Sequence, residues 1–179
     1  MNDEQAIKGL KELDRQVIGA IYDQYFSEVY RYAQYRVGDA AQAEDIASDV
    51  FVRLLEASQT GKGPRSNLKG WLIATASHIV MDQFRRRYRR AEETLPETIP
   101  DNGLQPSMEF DQREQRQKVK DAYQTLTAEQ QEVIALRFSQ GHSLEETAAI
   151  MKRNVNAIKA LQFRAFSALS REIGEVEYE

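Results

Sequence analysis

The chain has 179 residues, 41% of them apolar and 29% charged, which suffices for one large domain or two small ones with a modest core. It has no cysteine, which excludes disulfides, thiol switches and cysteine-ligated zinc, and its two histidines, His78 and His142, are too far apart to suggest a histidine metal site; no metal or other cofactor is expected. The net charge of −4 hides a segregation: residues 21–60 carry three basic and seven acidic side chains, 61–90 eight and one, 91–112 none and six, and 141–173 five and three. One strongly cationic stretch in an acidic chain points to a polyanionic partner.

The N-terminus mixes charges and lacks the apolar run of a signal peptide, and no later run approaches membrane-spanning length, which reads as a cytoplasmic chain without membrane contact of its own. The first clear helical stripe is Ile21, Tyr25, Val29, Ala33 and Val37, with Tyr22, Phe26 and Tyr30 beside it. A second, made by Ala43, Ile46, Ala47, Val50, Phe51, Leu54 and Leu55, leaves Glu44, Asp45, Ser48, Asp49 and Arg53 off the apolar face. Two glycines and a proline in residues 59–67 break the pattern. Leu68, Leu72, Thr75, Ala76, Ile79 and Val80 then define a third helix, capped by Asn67 or Ser66, that runs into five arginines among the six positions 85–90. No alternating strand pattern occurs, so the fold class is all-α.

Residues 91–112 hold three of the four prolines and no helical stripe, which reads as an interdomain linker. Beyond it, Val119, Ala122, Tyr123 and Leu126 end one helix. Thr127 with Gln130 forms a capping box opening AEQQEVIALRFSQG, which Gly141 stops. Ser143 with Glu146 forms a second box opening LEETAAIM; after the turn KRN a longer basic helix covers VNAIKALQFRAFSALSREI. A short turn between two helices, the second longer and basic, fits a helix-turn-helix, a pattern that other packed helix pairs share.

A solvated helix end complementing the dipole would be satisfied by two cations, so five arginines favour the other reading, bidentate phosphate contacts. Trp71 is either a core residue or an aromatic platform beside the cationic helix, where Asn67, Lys69 and His78 could reach bases. An enzyme would have to use carboxylates such as Glu44, Asp45 and Asp49, and no second cluster completes a metal site around them. A one-component transcription regulator, with a sensing first domain and an operator-binding second one, is the alternative binding protein; a cationic helix in the first domain argues against it.

The segments AQAEDIASDVFVRLLEA and NLKGWLIATASHIVMDQFRRRYRR, an acidic linker, and LTAEQQEVIALRFSQGHSLEETAAIMKRNVNAIKALQFRAFSAL follow one another in an order that resembles bacterial RNA polymerase sigma factors of the extracytoplasmic-function (ECF) type, over roughly residues 15–173. The resemblance implies a sigma-two-like helical bundle at 1–91, an acidic linker at 92–112 and a sigma-four-like helix-turn-helix domain at 113–175. It implies no catalysis: the partners are core RNA polymerase, promoter DNA and an anti-sigma factor, and the function is promoter selection and melting. Asp45, Ser48, Asp49, Val52 and Arg53 fall where the family binds the polymerase clamp. Asn67, Lys69, Trp71, His78, Gln83, Arg85, Arg86, Arg89 and Arg90 fall on the minus-ten side. Arg153, Asn156, Ala157, Lys159, Ala160, Phe163 and Arg164 fall on the minus-thirty-five helix. The linker is implied to thread polymerase channels built for nucleic acid, its carboxylates standing in for phosphates. Ser48, Leu55, Ser77, His78, Leu161 and Gln162 depart from the family's usual residues, so no promoter sequence follows from the resemblance.

Overall fold

The computed structural model describes residues 1–91 and 110–174; most of the acidic stretch and the last five residues lie outside them. The chain divides into two compact units, Met1–Pro100 and Asp101–Glu179, and among the described residues both are helical.

The first unit holds α1 (Asp3–Glu12), α2 (Arg15–Val37), α3 (Ala40–Gln59) and α4 (Leu68–Ala91). Each begins on a short polar side chain that takes up an orphan backbone N–H: Asn2 accepts from Gln5, Asp14 from Gln16 and Val17, Asp39 from Gln42, and Asn67 from Gly70 at 2.7 Å. Of the two residues expected to cap α4, Asn67 is therefore the one that does so. Around the core, α2 packs against α3 and α4, and α1 lies against the other three.

Helix α1 has no counterpart in the sequence reading. Its signals are short: Ala6, Ile7 and Leu10 make a buried stripe of barely two turns, and Leu13 ends it in the left-handed region at φ 53°. The hairpin into α2 closes so tightly that a methyl on Gly9 would stand 2.5 Å from Val17 Cγ1. From α1, the Asp3 carboxylate accepts the Leu68 N–H at 3.2 Å, so the start of α4 is held by two side chains from different parts of the chain.

The α2 stripe differs from expectation in its second half. Ile21, Val29 and Ala33 are buried as the spacing predicts, but Tyr32 and Arg36 are buried where Val37 is only half so. A strict four-residue repeat advances about 400° per step and so drifts about 40° around the helix each time, whereas the packed face does not drift with it.

In the second unit, α5 (Phe110–Thr125) starts within the segment read as linker, and α6 (Ala128–Ile134), α7 (Leu144–Met151) and α8 (Val155–Ile173) follow. Both capping boxes form, at Thr127 with Gln130 and at Ser143 with Glu146. Leu126, Val133, Ile134, Ala148, Ile158, Leu161 and Ala165 make the core, with Tyr123 and Met151 against it, whereas Val119 is half exposed. The stretch after α6 is not a continuation of that helix: Ala135–Ser139 is a π-helical turn, and Gln140 N–H donates to the Ala135 carbonyl at 3.0 Å. Gly141 at φ 70° then ends it.

The caps give a stability test. Asn67→Ala should lower the unfolding free energy of the first unit by about 1 kcal/mol, and Gly70→Ala should do much the same because its methyl would meet the Asn67 side chain. Trp71, the chain's one tryptophan, lies in α4 and reports this unit alone in a urea titration. Equal midpoints for the variants and the parent would remove Asn67 from the stability of α4.

Candidate nucleic-acid interface

Three exposed faces emerge from the way the helices bury their apolar stripes. On α3, Asp45, Ser48, Val52 and Arg53 are exposed and Asp49 is half-buried, all opposite Ala43, Ile46, Ala47, Val50 and Leu54. Their spacings of three and four put them on one side of the helix. Arg53 donates through Nε to Asp49 Oδ2 at 3.1 Å, and the two form an exposed ion pair. Val52, 52% exposed, is an apolar spot among these charges.

The α4 surface is less uniform than its sequence. Asn67 is exposed with its side-chain oxygen engaged as the cap. Lys69 is paired with Glu28 of α2 at 2.6 Å. Beside that pair the Tyr25 phenol is pushed up by burial and then by the charges of Asp3 and Glu28, against the opposing pull of Lys69. Trp71 is half-buried, so it is neither a full core residue nor an open platform; Thr75 donates its hydroxyl to the Trp71 carbonyl. His78 is exposed, and Gln83 is half-buried with its Oε1 enclosed and accepting no hydrogen bond.

Past Val80 the helix has no buried residue, and all seven positions from Arg85 to Ala91 are exposed. Arg85 pairs with Asp82 at 3.2 Å in an exposed contact. Arg86, Arg89 and Arg90 extend the cationic surface, and Arg89 and Arg90 also complement the dipole of the last turn. Three residues that organise this helix, Glu28, Arg36 and Gln42, have no signal in the sequence, because each acts across 41 to 45 positions of the chain on Lys69, Met81 and Arg87 respectively.

On α8, Asn156, Lys159, Ala160, Phe163 and Arg164 form one exposed face, opposite buried Ile158, Leu161 and Ala165; Ala157 sits half-buried at its edge. Phe163 is 73% exposed. Asn154 caps the helix by accepting the Ala157 N–H at 2.8 Å. Arg153 lies before the cap, in the turn KRN that the spacing predicts and not on α8 where the resemblance puts it, and its guanidinium is ion-paired with Glu129 of α6. Gln162 accepts from Arg137 Nε at 3.1 Å, which ties α8 to the π-helical turn, and Leu161 belongs to the core. From Lys152 to Arg171 the chain has five basic residues and no acidic one, so every charge on the exposed face of α8 in this stretch is positive.

Among the described residues no group of three or more His, Cys, Asp or Glu could hold a metal ion, and no helix is long and apolar enough to cross a membrane. The three faces offer binding chemistry: mixed charge on α3, a dense exposed cationic end on α4, and a basic helix exposed along one side on α8.

Residues 21–90 match the family described as Sigma-70 region 2, and residues 122–171 match Sigma-70, region 4. The ECF RNA polymerase sigma factor BldN of Streptomyces coelicolor is 40% identical over 155 residues, which are 86% of this chain and 59% of that protein. The present chain thus spans well under two thirds of that relative. The ECF RNA polymerase sigma factor SigX of Bacillus subtilis is 31% identical over 159 residues, 86% of this chain and 81% of SigX. In fold, the chain is similar to the sigma factor RpoE from Bartonella quintana, solved in complex with the anti-sigma factor NepR, with a TM-score of 0.69 at 24% identity over 89% of this chain and 98% of that one.

The second capping box has a pH signature. The Ser143 backbone N–H donates to the Glu146 carboxylate at 2.7 Å and, with smaller contributions from nearby His142 and the Ser143 side chain, holds its pKa below the usual glutamate value. A carboxylate depressed in the folded state adds stability above its unfolded pKa and loses it as pH falls through the folded one. Glu146→Gln keeps a capping side chain but cannot titrate. Thermal melts by circular dichroism should show a shallower loss of stability below about pH 4.5 for the variant than for the parent, with the two curves parallel above it. Parallel curves throughout would show that this carboxylate is not linked to folding.

Proposed function

The chain belongs to the ECF RNA polymerase sigma factors, which direct promoter-specific transcription, and we propose that it does so by joining core polymerase through α3 and promoter DNA through α4 and α8. The observation that carries the proposal is the opposition of charge and core on α8: one side buries Ile158, Leu161 and Ala165, and the other presents Asn156, Lys159 and Arg164 with no carboxylate on the helix before Glu172. A major groove admits a helix of this kind, lysine and arginine serving phosphates or guanine edges and asparagine serving adenine.

In this reading residues 1–91 bind polymerase and the minus-ten element. Asp45, Ser48, Asp49, Val52 and Arg53 meet the clamp; Asn67, Lys69, Trp71, His78 and Gln83 meet the melting region; and Arg85, Arg86, Arg89 and Arg90 meet the flanking backbone. Residues 113–175 read the minus-thirty-five element, and the acidic stretch 92–112 connects the two. The pairing of Lys69 with Glu28 means that DNA must compete for its ammonium. The chain performs no catalysis of its own and works in the cytoplasm beside polymerase. An anti-sigma factor is a further partner in the proposal, as NepR is for RpoE in that complex. The family assignment does not favour a one-component regulator.

Two measurements test the proposal. Asp49→Ala with Arg53→Ala should weaken binding to core polymerase by about tenfold, a loss of about 1.4 kcal/mol, while helicity stays normal. Unaltered affinity would take this face out of the interface.

The second is a promoter library with single-base changes, transcribed by core polymerase with each variant at several salt concentrations. Asn156→Ala or Lys159→Ala should relax discrimination at one upstream position by roughly 1–3 kcal/mol. Arg86→Gln and Arg89→Gln should instead lower affinity for all promoters alike and reduce the salt slope by about one per contact. A chain that supports no specific transcript from core polymerase, yet binds duplex tightly alone, would return the reading to an operator-binding regulator.

A further inference from the structure

The five arginines between positions 85 and 90 are not equivalent. Arg87 reaches α3, where its Nη2 donates to Gln42 Oε1 at 2.9 Å. At about 100° per residue, Arg85 and Arg89 lie about 160° around the helix from Arg87, and Arg86 about 100°. A side chain committed to Gln42 is therefore turned away from the side those three present. Gln42 is a firm anchor: it is half-buried in the first turn of α3, and the Asp39 carboxylate takes its backbone N–H at 2.7 Å.

A second contact supports the same stretch from α2. Arg36, only 4% exposed, lays its guanidinium over the Phe84 ring at 5.2 Å and points Nη2 at the Met81 sulfur, 3.6 Å away. Residues 81, 84 and 87 follow one another at three-residue steps along one slowly turning stripe, so the contacts from α2 and α3 run in series up one side of α4, from half-buried Met81 and Phe84 to exposed Arg87. Beyond them the helix has no apolar burial to hold it. It also carries like charges at the repulsive spacing of four, Arg85 with Arg89 and Arg86 with Arg90.

We infer that Arg87 is a positioning residue: through Gln42, and together with the Arg36 contacts to Met81 and Phe84, it fixes the direction in which the last turns of α4 leave the bundle and so aims Arg85, Arg86 and Arg89 at DNA. The inference rests on the reading of α4 as a DNA-binding helix. It makes the cationic block a mixture of one anchor and several contacts.

The test uses full-length chain bound to core polymerase, with the strongest promoter from the library above and dissociation constants measured across a range of salt. Arg87→Gln and Gln42→Ala should each weaken the promoter complex by about threefold to tenfold, the two together no more than either alone, and the salt slope should stay at the parent value. Exchanging the partners, Gln42→Arg with Arg87→Gln, should restore affinity, because the bond is rebuilt with its cation on α3. That rescue would not occur if position 87 needed the charge itself. A slope lowered by about one in Arg87→Gln, with no rescue by the exchange, would make Arg87 a phosphate contact and overturn the inference. Unchanged affinity in Arg87→Gln would overturn it as well. If Arg86→Gln and Arg89→Gln also leave the slope unmoved, α4 does not lie on the duplex, and both the inference and the reading beneath it fall.

Discussion

Burial of Leu68, Leu72, Ile73, Ala76, Ile79 and Val80 against α2 and α3 decides where the candidate side chains of the first unit stand. Each aliphatic side chain taken fully out of water contributes about 1.5–3 kcal/mol, so the register of this stripe is far more costly to change than any surface contact on the helix. Once it is set, the other positions follow by rotation: Lys69 comes to Glu28 and Arg87 to Gln42, and the arginine end projects beyond the core. The same burial fixes α3, whose stripe packs inward and leaves Asp45, Ser48, Asp49, Val52 and Arg53 along its outer side. The mixed-charge face of α3 and the cationic end of α4 are thus two sides of one packing solution.

The second unit reaches an equivalent result by local means. Two capping boxes start α6 and α7, Asn154 starts α8, and a π-helical turn re-aims the chain between α6 and α7 so that Arg137 meets Gln162 and the His142 carbonyl. The left-handed Lys152, at φ 54°, ends α7 sharply enough for the turn to α8 to need only three residues. Short connections of this kind leave α8 little freedom against its neighbours, so its exposed face is presented on a rigid element.

Much of this was legible in the residues. The stripes of α3 and α4, both capping boxes and the helix-turn-helix spacing rest on interactions between residues three or four apart, and such patterns survive in sequence. The contents of the candidate faces on α3 and α8 were equally readable, since exposure is the complement of the stripe. What escaped has two causes. Helix α1 is too short for its period to stand out, and α2 drifts from its repeat until Arg36, a charged residue, is the one buried. Long-range pairings leave no periodic trace at all: nothing near Lys69 announces Glu28, and nothing near Arg153 announces Glu129. The spacing itself had Arg153 in the turn KRN, and only the resemblance carried it onto the helix.

The hydrogen bond from Leu68 to Asp3 also orders events during synthesis. Its partners are 65 positions apart, so a nascent chain emerging at about 5–20 residues per second carries the α1 segment for several seconds before the start of α4 arrives to use its carboxylate. Through that interval the apolar sides of α1, α2 and α3 lack the strip that completes their core. The caps of both units span only about three residues and can close as soon as they leave the ribosome. The bond from Leu68 to Asp3 and the apolar stripe of α4 cannot, so the core of the first unit is completed only when its last helix emerges.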